Sequence, residues 1–198
     1  MATLPTNYQK HMSADPSRKF FLRRFNKTLV KNIKNLNVSS ILDAGCGEGF
    51  TLNQLYEAKA AKHLEGVDFS KQAVSLGNKQ FPKLKLKQGD IYKLPYKKDE
   101  FELVICSEVL EHLEHPEKAV REVLRVSKKY VLFSVPNEPF FMGSRLLKGM
   151  NIKQLGNHPE HINHWNVFSF PQMLQKNGVK VKKVLYPFPW ILVLGKKE

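Results

Sequence analysis

Ile41-Leu42-Asp43-Ala44-Gly45-Cys46-Gly47-Glu48-Gly49 decides how the chain folds. The apolar run from Ser39 to Ala44 predicts a short buried strand. Leu52, Leu55 and Tyr56 recur at helical spacing just beyond the glycines. Strand, glycine turn and helix together present backbone N–H groups and a helix N-terminus to a ligand. The glycine spacing is G-x-G-x-G, neither the dinucleotide fingerprint nor the phosphate loop. Asp43, two residues before the first glycine, would repel a pyrophosphate and attract an ammonium. The ligand expected here is a nucleoside carrying a positive group.

Upstream, Asp15-Pro16 opens a helix whose Leu22, Phe25, Leu29, Ile33 and Leu36 fall on one face, with arginines and lysines between them. Downstream, strands and helices alternate. Strands are predicted at His63–Phe69, Leu84–Gln88, Phe101–Ser107 and Tyr130–Pro136. Helices are predicted from Gly49 to Lys59, after the cap Ser70, and from Pro116. Leu84 and Leu86 alternate with lysines, which suits an edge strand. Asn137 to Asn166 has no clean period and reads as an insertion over the ligand face. Ser169 and Gln172 form a candidate capping box with a Phe168–Met173 staple, and Gly178 ends that helix. Val179–Tyr186 and Trp190–Gly195 are two last strands. Pro187-Phe188-Pro189 is too short for a crossover helix, so they must be antiparallel. Repeated βα units predict an α/β fold, a doubly wound and mostly parallel sheet that binds its ligand beyond the strands' carboxyl ends.

A length of 198 residues suits one domain. Its expected parts are an N-terminal segment and helix (1–37), a ligand-binding core (38–136), a substrate-side insertion (137–167) and a C-terminal helix with the antiparallel pair (168–198). The net charge of +14 would fit a nucleic acid or an anionic membrane. Against that, the lysines are scattered and form no solitary block. Cys46 and Cys106, both expected at buried strand ends, argue for a reducing compartment. No apolar run reaches about 18–20 residues, so no membrane span is expected. The expectation is a cytoplasmic protein.

Asp68 ends the second strand about 20 residues after the glycines, where an acid can hold both hydroxyls of a ribose. The plainer alternative is a helix cap shared with Ser70. Asp90 could accept from an adenine amino group while Ile91 packs on the ring; the alternative there is a Gly-Asp turn.

The ordered set D-A-G-C-G-E-G, V-D-F-S, Q-G-D-I, F-E-L-V-I-C-S-E-V-L-E-H-L and Y-V-L-F-S-V-P-N resembles the class I S-adenosylmethionine-dependent methyltransferases. Within them it is most similar to the small group that includes the ubiquinone/menaquinone-biosynthesis type. The resemblance spans nearly all of Ile41–Asn137. It implies a seven-stranded sheet with the last strand antiparallel, and S-adenosylmethionine as cofactor, with S-adenosylhomocysteine as product. Gly45, Cys46, Gly47 and Gly49 would line its methionine and ribose parts, and Asp43 would reach towards its ammonium. Asp68 would hold the ribose diol, with Phe69 beside it. Asp90 and Ile91 would contact adenine. Cys106 and Ser107 would offer backbone carbonyls, and Tyr8 would fold over the cofactor.

Glu108, Glu111 and His112, with the later His161 and His164, admit three readings. In the plainest, Glu111-His112 is a common family sequence that shapes the helix start below the site, and no metal is held. In the second, Glu108 or His112 acts as general base or positions the substrate; His112, His161 and His164 are the bases to test first for a hydroxyl acceptor. In the third, Glu108, Glu111, His112 and His161 gather a divalent metal, in a pattern similar to enzymes that methylate the terminal ribose of small RNAs. Phe140, Phe141, Met142 and Trp165 would line an acceptor pocket. A small-molecule methyl acceptor is the first expectation. Metal-dependent RNA ribose methylation and a non-catalytic binding protein of this fold are the alternatives, with an NAD-dependent dehydrogenase further off.

Overall fold

A computed structural model of the chain describes residues 14–138 and 161–197. Tyr8, the Phe140–Met142 run and His158 lie outside the described residues. So does most of the expected insertion.

Helix α1 (Pro16–Lys34) starts where Asp15 accepts from the N–H groups of Ser17 and Arg18. It buries Leu22, Phe25, Leu29 and Ile33. The alternation follows as β1 (Ser40–Ala44), α2 (Phe50–Glu57), β2 (His63–Asp68), α3 (Lys71–Gln80), β3 (Lys85–Gln88) and β4 (Phe101–Ser107). After a 3₁₀ turn at Leu110–His112 come α4 (Pro116–Val126), β5 (Ser127–Pro136), α5 (Ser169–Lys176), β6 (Val179–Leu185) and β7 (Trp190–Lys197).

The seven strands form one sheet in the order β3-β2-β1-β4-β5-β7-β6. Pairings among the first five are parallel, and β7 is antiparallel to both β5 and β6. The last strand of the chain is thus the reversed one, and it lies inside the edge strand β6. The lysine-rich β3 is the opposite edge, as its alternation requires.

Two apolar layers follow the period of two along each strand. Leu42, Val104, Cys106, Val131 and Phe133 face α4 and α5. Ile41, Leu103, Ile105 and Leu132 face α1, α2 and α3. Fully burying each such side chain contributes roughly 1.5–3 kcal/mol. Order along the sheet reverses at β1, whose neighbours are β2 and β4. The crevice beyond the carboxyl ends of these strands is the switch point where such folds bind ligands.

Ends of β1, β2, β3, β6 and β7 shift by one or two residues from expectation, and three further differences have a physical reason. β5 begins at Ser127, three residues early, because Ser127 is buried and pairs with Phe101 before a bulge lets Leu103 meet Tyr130. α2 stops at Glu57, since Lys59 has a positive φ of 51°. At α5 the cap is Asn166. Its side-chain oxygen accepts from Phe168 and Ser169, and its own N–H donates to Ser169 Oγ. The reciprocal box therefore sits three residues upstream of the Ser169–Gln172 pair. Phe168 is 74% exposed, so the expected staple does not form.

Candidate active site

The glycine loop is built from the end of β1. Gly45, Gly47 and Gly49 all have positive φ, at 88°, 54° and 83°. At Gly45 the requirement is double: a Cβ there would stand 2.3 Å from Val109 Cγ2, on the loop leaving β4. The N–H groups of Gly45 and Cys46 both donate to Val67 O, which ties the loop to β2. Cys46 and Cys106 are both buried free thiols, and burial pushes both well above the ordinary thiol range. They are packing residues at strand ends.

Asp68 joins two loops. One carboxylate oxygen accepts from Gly47 N–H at 2.7 Å and the other from Ser70 N–H at 2.8 Å. Ser70 Oγ in turn caps α3 through Ala73 N–H. A carboxylate has about four acceptor positions, so both expected roles fit the same side chain. Asp43 is 2% exposed. Burial, helped by the Asp68 charge, pushes its carboxyl up to about 7. A buried acid so poised is stabilised as the anion by a cation brought alongside it.

Asp90 sits in the turn its alternative predicted. Its side chain accepts from Tyr92 N–H, and its carbonyl accepts from Lys93 N–H. The residue is exposed, while Ile91 is half-buried against the core. Phe69, after β2, is 78% exposed. A large ring that no packing explains stands at the rim where a nucleobase would lie. Ser107 Oγ is 2.7 Å from Ser134 Oγ, between the adjacent ends of β4 and β5.

A second constellation lies beyond β4 and β5. Glu111, His112 and His161 offer ligand atoms that all fall within 4.8 Å of one another. The two imidazoles meet edge to face, with centroids 4.9 Å apart. Glu111 is 1% exposed, and its carbonyl accepts the N–H groups of Ile162 and Asn163. Asn163 completes this strap by donating to the carbonyls of Leu110 and Leu113. Behind His161 stands Glu138, 2% exposed, with Oε1 at 2.5 Å from His161 Nδ1. Glu138 Oε2 is buried with no hydrogen-bond partner among the described residues.

Glu108 is not part of this group. It takes the positive φ of 58° after β4 and accepts from the indole N–H of Trp190, at the start of β7. Thus three of the four residues in the metal set come together and the fourth turns away. His164 is exposed and outside the group. Trp165 packs on Phe170 of the core at 5.4 Å, rather than standing free as a pocket wall. Sequence reasoning missed Glu138 and Trp190. Glu138 carried one signal, an acidic residue two positions after the mostly apolar run Tyr130–Pro136.

Residues 42–134 match the methyltransferase domain family. A probable S-adenosylmethionine-dependent methyltransferase of Mycolicibacterium smegmatis is 23% identical over 189 residues, 94% of this chain and 70% of that one. The mitochondrial ubiquinone biosynthesis O-methyltransferase of Saccharomyces cerevisiae is 26% identical over 140 residues, 64% of this chain and 45% of that one. The chain therefore spans less than half of the yeast protein's length. Among solved structures, an S-adenosylmethionine-dependent methyltransferase from Aquifex aeolicus superposes with a TM-score of 0.70 at 15% identity, covering 99% of this chain and all of the other. Sheet order, glycine loop and matched segment agree: residues 42–134 are a methyltransferase domain, on the fold shared with solved S-adenosylmethionine-dependent methyltransferases.

Proposed function

We propose that this chain transfers the methyl group of S-adenosylmethionine to a hydroxyl of a small, apolar acceptor. The observation that carries the proposal is the buried Glu138–His161 pair, set beside Glu111 and His112 at the same end of the sheet as the glycine loop. The bound cofactor supplies an activated methyl on a sulfonium. A group that takes a proton is needed only when the acceptor is a poor nucleophile, and a hydroxyl is one. The yeast relative is, by its name, an O-methyltransferase.

In this reading the glycine loop and Asp68 hold the ribose and methionine parts. Asp43 neutralises the ammonium, and the backbone carbonyls of Cys106 and Ser107 accept hydrogen bonds from the methionine moiety. Phe69, Asp90 and Ile91 flank the adenine. The chain then contributes orientation and exclusion of water to an in-line displacement. Glu138 holds Nδ1 of His161. The other ring nitrogen takes the acceptor's proton as the new O–C bond forms, and Glu138 stabilises the imidazolium that results.

A second reading is favoured by the Glu111–His112–His161 cluster itself: a divalent cation held there would acidify the acceptor hydroxyl instead. One experiment separates the two. Wild type and His161→Ala are assayed for S-adenosylhomocysteine formation on catechols and hydroquinones, with and without EDTA. The base reading expects turnover to fall roughly 10²–10⁴-fold in the variant, with S-adenosylhomocysteine affinity unchanged and EDTA without effect. Activity lost to EDTA and restored by a divalent ion replaces the base with the cation. Equal turnover of variant and wild type sinks both.

A further inference from the structure

The methyl-transfer chemistry makes no use of the outer face of α1. That helix carries Arg18, Lys19, Arg23, Arg24, Lys27, Lys31 and Lys34, all exposed, and no Asp or Glu. At 100° per residue, Arg23, Arg24, Lys27, Lys31 and Lys34 fall within about 60° of Phe20 on one side. Leu22, Phe25, Leu29 and Ile33 occupy the other and are buried. The ion pairs of lysine and arginine among the described residues use Glu65, Glu122 and Asp99, and none involves a cation of α1.

The ridge ends in aromatics. Phe20 is 60% exposed and meets Phe21 edge to face at 5.5 Å. Phe21 meets Phe188 at 5.4 Å, in the turn between β6 and β7. Phe188 and its neighbour Tyr186 are also exposed. This turn lies at the active-site end, because Pro136, the last residue of β5, pairs with Trp190, the first of β7. Trp190 packs on Phe25 of α1 and donates to Glu108. The aromatics and the first cations of α1 therefore lie at the site end, and the ridge runs from there to Lys31 and Lys34, near the start of β1 at the other end of the sheet. Scattered solvated lysines would account for the charge, but not for a helix without one acid, nor for three exposed rings at its end.

We propose that the cationic face of α1 and the cluster of Phe20, Tyr186 and Phe188 dock the protein on an anionic lipid bilayer, with the site mouth at one edge of the contact. Cations near an anionic leaflet and aromatic side chains at the interface are the two elements of peripheral membrane binding. Arg23 and Lys27 also border a shallow cleft between α1 and α2, where Glu57 stands, and the phenylalanines meet edge to face at 72° and 62°. A single nucleic acid strand would want open ring faces on which bases stack, and these rings are turned edge to face instead. The inference does not depend on the acceptor.

The test is sedimentation with vesicles of phosphatidylcholine alone or mixed with phosphatidylglycerol, at low and high salt. Wild type is compared with the triple variant Arg24→Gln, Lys27→Gln, Lys31→Gln and with Phe20→Ser/Phe188→Ser. The expected result is binding to the mixed vesicles only, weakened roughly a hundredfold by removing three charges and weakened separately by the aromatic pair. An unchanged melting shift with S-adenosylhomocysteine shows that each variant is folded and keeps its cofactor site, so a failure here is distinct from failure of the methyltransferase reading. No binding to mixed vesicles, or equal binding by the triple variant, overturns the proposal. So does single-stranded RNA binding more tightly than the vesicles and losing affinity in the same variant.

Discussion

Two residues at the junction of β1 and the glycine loop carry different kinds of cost. Gly45 carries a conformational one: its φ of 88° and the 2.3 Å approach to Val109 leave no place for a side chain. Gly45→Ala should destabilise the protein by about 2–4 kcal/mol and abolish S-adenosylhomocysteine binding. Adding Val109→Ala should recover part of the stability, since it removes the collision and leaves the strained φ. Equal melting points for the single and double variants would show that the collision costs nothing. Asp43 carries an electrostatic cost. Its carboxyl titrates near 7 in the fold against 3.8 in a free chain, so between those values the folded state holds a proton that the unfolded state lacks. Its contribution to stability therefore declines as pH rises from about 4 to 7 and is level above that. A bound ammonium favours the anion, so binding must release the proton below pH 7. Affinity for S-adenosylhomocysteine should fall up to tenfold per pH unit between pH 7 and 5. Asp43→Asn should flatten that profile, weaken binding at pH 8 and raise the ligand-free melting point there. Calorimetric titration across the range checks the first two, and a pH-independent wild type would remove Asp43 from the ammonium site.

At the scale of elements, periodicity is what made the fold readable. Strands such as Phe101–Ser107 and helices such as α4 are regular over several residues, so local signals add up. The cap of α5 is a single contact, and two polar pairs competed for it. Asn166 won because its side chain reaches both Phe168 and Ser169 N–H at 2.9 Å. Asn166→Ala should then cost about 1 kcal/mol, with a lower urea midpoint at constant slope; Gln172→Ala should cost nearly nothing. The reverse ranking would restore the box of Ser169 with Gln172. The loops expected to hold the cofactor were legible for the same reason as the strands, since they follow β1, β2, β3 and β4 at short range. The acceptor side was not. Glu138 and His161 are 23 positions apart, across a stretch with no period, and Glu108 and Trp190 are 82 apart. Only the closing of the sheet by β7 brings the latter pair together, and no spacing rule encodes it.

For the whole molecule, the same closure decides how far ligand binding reaches. The proposed cofactor crevice is made by loops after β1, β2, β3 and β4, whereas β6 and β7 lie on the far half of the sheet and α1 packs on both α2 and Trp190. Those halves share two apolar layers that run without interruption from Leu64 to Leu194 on one face and from Val67 to Val193 on the other. Trp190 bridges them, with its ring on Phe25 and its indole N–H on Glu108. A core of that continuity should unfold as one unit. S-adenosylhomocysteine at about 100 times its Kd adds roughly 2.7 kcal/mol to the folded state. For a chain of this size that is a rise of about 5–10 °C. If the halves are coupled, calorimetry shows one transition, and the ligand moves all of it, tryptophan fluorescence and helical circular dichroism alike. Trp190→Phe, which keeps a ring on Phe25 and drops the bond to Glu108, should lower the melting point and leave the transition single. Two transitions in the wild type, with the ligand moving only one, would mean that the crevice half folds on its own and that β6 and β7 are a dependent flank.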